Sequence, residues 1–164
     1  MPVDETTEVL LTQEGYELKT RELEDARRML HEEIPQRLKI AKEHGGELRE
    51  NKEFIDIQTE KEFYEAKVRQ IEDLLDRAKI IDESQISTKQ VGIGSWIKLK
   101  RTGSNEELKF ELVSQAEVNL ESNKISIDSP LGKALLGHKR GDDIELIAPK
   151  GRKITYKILE IRRG

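Results

Sequence analysis

Cysteine is missing from all 164 residues, so neither a disulfide framework nor a thiolate metal site is available. Aromatic residues are nearly as scarce: three Phe, three Tyr and one Trp, of which only Trp96, Phe110 and Tyr156 lie beyond residue 82. Few pockets of the aromatic-lined kind that a prolyl isomerase needs can be built from so little. No apolar run approaches the ~18–20 residues that cross a bilayer, and the acidic opening MPVDETTEVL is unlike a signal peptide. These absences lead to the expectation of a cytoplasmic protein without a membrane partner. The sequence also holds no P-loop, no serine or cysteine nucleophile constellation and no His/Cys ligand triad.

What is abundant is charge. Asp, Glu, Lys and Arg make up 38% of the chain and the hydrophobic set only 35%. So polar a composition suits a molecule that is partly extended rather than wrapped around one core. The charge is unevenly placed. Residues 1–82 hold 14 basic and 22 acidic side chains, net −8, while residues 83–164 hold 15 and 11, net +4. Such a split predicts two units with different partners. An acidic half is repelled by phosphates, so duplex DNA is not an expected ligand.

Periodicity draws the same boundary. No glycine occurs from Tyr16 to His44 or from Glu47 to Val91, and Gly45-Gly46 lies between. Both flanks are rich in Glu, Lys, Arg, Leu and Ala, which favour helix. Phe54, Ile57, Tyr64, Val68, Ile71, Leu75 and Ala78 follow three- and four-residue steps interrupted only by Lys61, the seam of a coiled coil. Leu23, Ala26, Leu30, Ile34, Leu38 and Ala41 form the facing stripe. The two helices are expected to fold back antiparallel over residues 1–82, with the tip at residues 44–51 and arms of roughly 45 Å. Thr12 is placed to cap the first helix, and Pro35 predicts a kink within it. A hairpin that satisfies its own seam predicts a monomer.

After Asp82 the polar stretch DESQISTKQ reads as a linker. Short β-type runs follow at 95–101, 108–113, 124–127, 143–147 and 153–161, separated by turn signals at 102–105, 141–142 and 149–151. Ser129-Pro130 through Gly137 has the cap, first-turn proline and glycine stop of a short helix. Residues 83–164 are thus expected to form a small α+β domain with an antiparallel sheet.

Four segments, in order and with matching spacing, resemble the bacterial GreA/GreB transcript-cleavage factors. They are LTQEGYELKTRELE at the start, AKEHGGELRENKEF at residues 41–54, AKIID at residues 78–82 and ISIDSPLGKALLGHKRGDDIELIAPKG at residues 125–151. The resemblance implies an FKBP-like fold for the second half, without isomerase activity. It implies an accessory factor, not an enzyme, whose coiled coil enters the secondary channel of RNA polymerase. It further implies that Glu47, Glu50 and Asn51 serve at the tip, the two glutamates sharing the polymerase's Mg²⁺ while backtracked RNA 3′ ends are cleaved. Lys42, Arg49 and Lys52 would face the RNA phosphates. Asp128, Ser129, Pro130, Leu131 and Gly132 would dock on the channel rim of the largest subunit.

The tip residues support part of this independently. Magnesium takes few protein ligands and prefers carboxylate oxygen. Glu47 and Glu50, three apart, are expected on one face of a helix start, where the dipole favours acids. Taken alone, such a pair is simply a favourable charge pattern. The tip also departs from the family pattern: Glu47 stands for an aspartate, one glycine is extra, and Phe54 stands for a tyrosine. A Gre-like paralogue that occupies the same channel and modulates transcription without cleavage is the alternative.

Overall fold

The computed structural model describes residues 8–163; residues 1–7, with most of the acidic opening, and Gly164 lie outside the described residues. The chain divides into two compact units, residues 16–78 and residues 8–15 with 79–163.

The first unit is a long helical hairpin. One arm comprises α1 (Gln13–Arg28), a π-helical turn (Met29–Glu33) and α2 (Ile34–Glu43); the return arm is α3 (Lys52–Arg77). At ~1.5 Å per residue α3 spans roughly 39 Å. Its seam follows the expected stripe: Leu23, Ala26, Ile34, Ala41, Ile57 and Ile71 are buried. Leu30, Leu38, Phe54 and Tyr64 pack half-buried around Ile34, Ala41 and Ile57. Outside that narrow core the arms are joined by ion pairs, Arg27–Glu72 at 2.7 Å, Arg37–Glu60 at 2.9 Å and Lys67–Glu22 at 3.4 Å. The disturbance expected at Pro35 takes the form of the π turn just before it. There the Ile34 amide donates back five residues to the Met29 carbonyl. A widened turn admits a proline ring that a regular α-turn would clash with, and helix resumes at once.

The second unit carries β3 (Ser95–Arg101), β4 (Glu107–Val113), β5 (Lys124–Ser126), α4 (Pro130–Leu135), β6 (Asp143–Ile147) and β7 (Lys153–Arg163). The first two strands, β1 (Val9–Leu11) and β2 (Ala78–Ile80), pair separately as a two-stranded sheet. The helical stripe expected to run through Ala78 stops one residue short: α3 ends at Arg77 and Ala78 is already extended. The main sheet has the order β5-β4-β3-β7-β6. It is mixed rather than purely antiparallel, because β4 and β5 run parallel. Val91, Ile97, Leu99, Phe110, Leu112, Leu135, Ile144, Ile158 and Ile161 form one buried cluster beneath it. The alternation in β3, with Ile97 and Leu99 buried and Trp96 and Lys98 half-exposed, places that cluster on one face.

The N-terminal segment of this unit explains the opening Thr12-Gln13-Glu14-Gly15. The Thr12 amide and hydroxyl both donate to the buried Glu117 carboxylate, at 2.8 and 2.6 Å, and Thr12 Oγ1 accepts from the Gly15 amide at 3.0 Å. A Cβ on residue 15 would run into that carboxylate, so a larger residue would push Glu117 out of its bonds with Thr12. No described helix is long and apolar enough to cross a membrane.

Candidate functional site: the hairpin tip

The tip is built by two helix ends and two left-handed glycines. His44 closes α2, and Gly45 and Gly46 follow at φ +83° and +89°, backbone that costs other residues steric strain. The chain then turns on itself, with the Glu50 and Asn51 amides both donating to the Glu47 carbonyl, at 3.0 and 3.1 Å. Asn51 is the N-cap of α3, its Oδ1 accepting from the Phe54 amide at 3.1 Å. Glu47 and Glu50 therefore precede the helix in a separate turn, not in its first turn as the spacing suggested. The reason is local: Asn51 is a strong cap and takes the start for itself.

Among the described residues neither the Glu47 nor the Glu50 carboxylate has a hydrogen-bond or ion-pair partner, and both side chains are exposed. Arg49 and Lys52 flank them, also exposed, and Lys42 Nζ lies 5.7 Å from the centre of the Phe54 ring. Asn51 is placed differently from the glutamates, since its Nδ2 donates 2.9 Å to the Ala41 carbonyl across the hairpin. Both ends of its amide are thus already engaged. His44 Nδ1 lies 2.8 Å from the Glu53 carboxylate. That hydrogen bond, followed by the Glu53 charge, holds the imidazole above its usual pKa.

No group of three or more His, Asp or Glu among the described residues could hold a metal by itself. A pair of unpartnered carboxylates does fit a magnesium ion that takes its remaining ligands from waters and phosphates.

The five residues expected to dock lie at the start of α4. Ser129 caps it, accepting from the Gly132 amide at 3.0 Å. Gly132 is buried where a Cβ would meet the Ser126 and Ile127 backbone, so its part is packing. Asp128 and Pro130 are exposed, and Leu131 packs partly against the core. Ser129, Pro130 and Leu131 also line an apolar groove of about 700 Å³ with Val118, Leu120 and Ile147. Leu120 and Ile147 are 77% and 74% exposed, an apolar patch of the kind that marks a partner surface. Sequence reasoning missed Val118, Leu120 and Ile147, because two lie in irregular turns and the third reads as an ordinary strand residue.

Comparison with known proteins is consistent along the whole chain. Residues 9–80 match the N-terminal domain of transcription elongation factors, and residues 86–163 match the GreA/GreB C-terminal domain. Transcription elongation factor GreA of Acetivibrio thermocellus is 39% identical over 95% of this chain and 97% of its own length. That of Thermotoga maritima is 41% identical over 93% and 96%. The crystal structure of GreA factor homolog 1 from Thermus thermophilus is 36% identical, covering 94% of this chain and 99% of that one with a TM-score of 0.43. With both domain families matched in order and relatives near 40% identity end to end, the chain belongs to the GreA/GreB family of transcription elongation factors.

Proposed function

We propose that this chain is a transcript-cleavage factor whose hairpin enters the secondary channel of bacterial RNA polymerase and lends Glu47 and Glu50 to the catalytic centre. The observation that carries the reading is the position of two exposed, unpartnered carboxylates in the turn at the tip of a long helical hairpin. On the arms Glu22, Glu60 and Glu72 are matched across the seam, while Glu47 and Glu50 stand open at the turn between the helices.

When bound, Mg²⁺ of the polymerase would activate a water and neutralise charge on the scissile phosphate. Glu47 and Glu50 would supply hard oxygen ligands for that ion from the two ends of the turn that the Glu47 carbonyl closes. Arg49 and Lys52, with Lys42 nearby, stand ready for the phosphates of a backtracked RNA 3′ end. The apolar groove beside Ser129, Pro130 and Leu131 is the surface offered to the channel rim, with exposed Asp128 at its edge. The isolated chain hydrolyses nothing under this reading.

The test is RNA cleavage in a stalled, backtracked elongation complex. Wild-type protein should shorten the transcript, and a Glu47→Ala/Glu50→Ala variant should bind the polymerase equally well without shortening it. A second reading is favoured by the tip itself. Gly45 and Gly46 have nothing within 4 Å of a would-be Cβ, so this tip has room to place its acids differently. If wild-type protein binds and no shortening occurs, the chain is a channel-occupying regulator.

A further inference from the structure

The loop that carries Glu47 and Glu50 begins with two left-handed glycines that have no side chains to pack, so bonds elsewhere at the tip must help fix where its carboxylates stand. Within the loop, the Gly45 amide donates to the Lys42 carbonyl at 3.2 Å, and the amides of Glu50 and Asn51 tie back to the Glu47 carbonyl. At its base, two hydrogen bonds join the arms. Asn51 Nδ2 donates 2.9 Å to the Ala41 carbonyl, and His44 meets Glu53 at 2.8 Å. The second contact aligns with both helix dipoles. His44 sits at the C-terminal end of α2, where a cation is favoured, and Glu53 sits in the first turn of α3, where an anion is favoured.

We propose that these two contacts form a clamp, making His44, Asn51 and Glu53 positioning residues that set the placement of the Glu47 and Glu50 carboxylates. The consequence for cleavage rests on the function proposed above; the clamp itself does not. Asn51 then acts through backbone and not by orienting a water, because its amide oxygen and nitrogen are both taken. Reactions of this kind lose about 10²-fold for a misplacement near 1 Å, so a loosened loop is felt in turnover. The groups facing His44 are Glu53 on α3 and its own neighbour Glu43. Glu47 and Glu50 share its loop. Arg49 is the loop's own cation, but the ring meets Glu53, so protonation of His44 strengthens the clamp and it weakens as pH rises through the imidazole's raised pKa.

The experiment uses the full chain and two readouts. In ¹⁵N relaxation, the amides of residues 47–50 in His44→Gln and in Asn51→Ser should fall from about 0.85 toward about 0.6 in order parameter. Serine keeps the helix cap and loses only the cross-arm donor, which separates clamp from cap. His44→Lys, which restores a cation, should recover order at the tip. In the backtracked complex, His44→Gln should lower the maximal cleavage rate roughly two- to fivefold, the scale of an exposed ion pair. The half-saturating factor concentration should stay unchanged, and the deficit should fade at high pH. Unchanged tip order in both variants, or a pH-independent deficit that tracks affinity, overturns the clamp. If wild-type protein stimulates no cleavage, the proposed function fails while the relaxation data still decide the clamp.

Discussion

The hairpin and the sheet unit are stabilised in different ways. In the sheet unit nine buried residues close into one cluster under five strands, so each side chain is enclosed by others. In the hairpin only Ile34, Ala41 and Ile57 make a buried cluster of that kind, and solvent lies close on both flanks. The hairpin adds ion pairs across its arms, which in exposed positions contribute little individually. A narrow seam keeps the charged surface of the arms continuous up to the tip, whereas a broad core would enlarge the arms. The lesson is that slenderness is purchased here with core, and the sheet unit should tolerate core damage least.

The first prediction targets that contrast. Leu99→Ala, in the closed cluster, should cost about 3–4 kcal/mol, while Ile57→Ala should cost about 2 kcal/mol because the seam can collapse toward solvent. Trp96 is the only tryptophan and reports the sheet unit, so urea melts by fluorescence read that unit, and far-UV dichroism adds the helices. Equal costs would dissolve the comparison.

A smaller effect concerns charge inside the sheet unit. Burial pushes the Glu111 carboxyl up to about 7 from its usual 4.5; Lys124 opposes the shift, and Glu117 and Glu14 add to it. Glu111 is 6% exposed. Because the folded pKa is raised, ionising Glu111 costs stability as pH climbs from about 4.5 to about 7, and the loss is complete above that range. Glu111→Gln should therefore stabilise the unit by about 3 kcal/mol at pH 8 and leave it unchanged near pH 4. A flat wild-type pH dependence over that window would contradict it.

Smaller again is the Arg37–Glu60 pair on the hairpin, whose side chains are 44% and 35% exposed. A double-mutant cycle should give about 0.2–1 kcal/mol, declining in high salt. A coupling above 2 kcal/mol would mean that the hairpin relies on its ion pairs more than on its seam.

Much of this architecture is legible from residues alone, where a period persists for several turns. The seam positions Leu23, Ala26, Ile34, Ala41, Ile57 and Ile71 are buried as their spacing implied. The strand runs and the Ser129–Pro130 cap also lie where the turn signals put them. What could not be read is short or non-local. Three-residue strands such as β1 and β2 have no measurable period, and Ala78 continues the helical stripe although its backbone is extended. The parallel pairing of β4 with β5 depends on the intervening turns rather than on either strand. At the tip, the residue types of Glu47, Glu50 and Asn51 drew notice mainly through family resemblance. Their geometry, with the acids in a turn ahead of the cap and Asn51 spanning the arms, follows from one side chain competing for two backbone partners.

The central claim is that the tip contributes ligands to a shared magnesium ion. Its most direct test is a Mg²⁺ titration of transcript cleavage in a backtracked complex at saturating factor. Wild-type protein should lower the Mg²⁺ concentration for half-maximal cleavage, and Glu47→Gln and Glu50→Gln should each raise it again. If both variants lower the maximal rate while leaving the Mg²⁺ midpoint at the wild-type value, the carboxylates do not hold the ion.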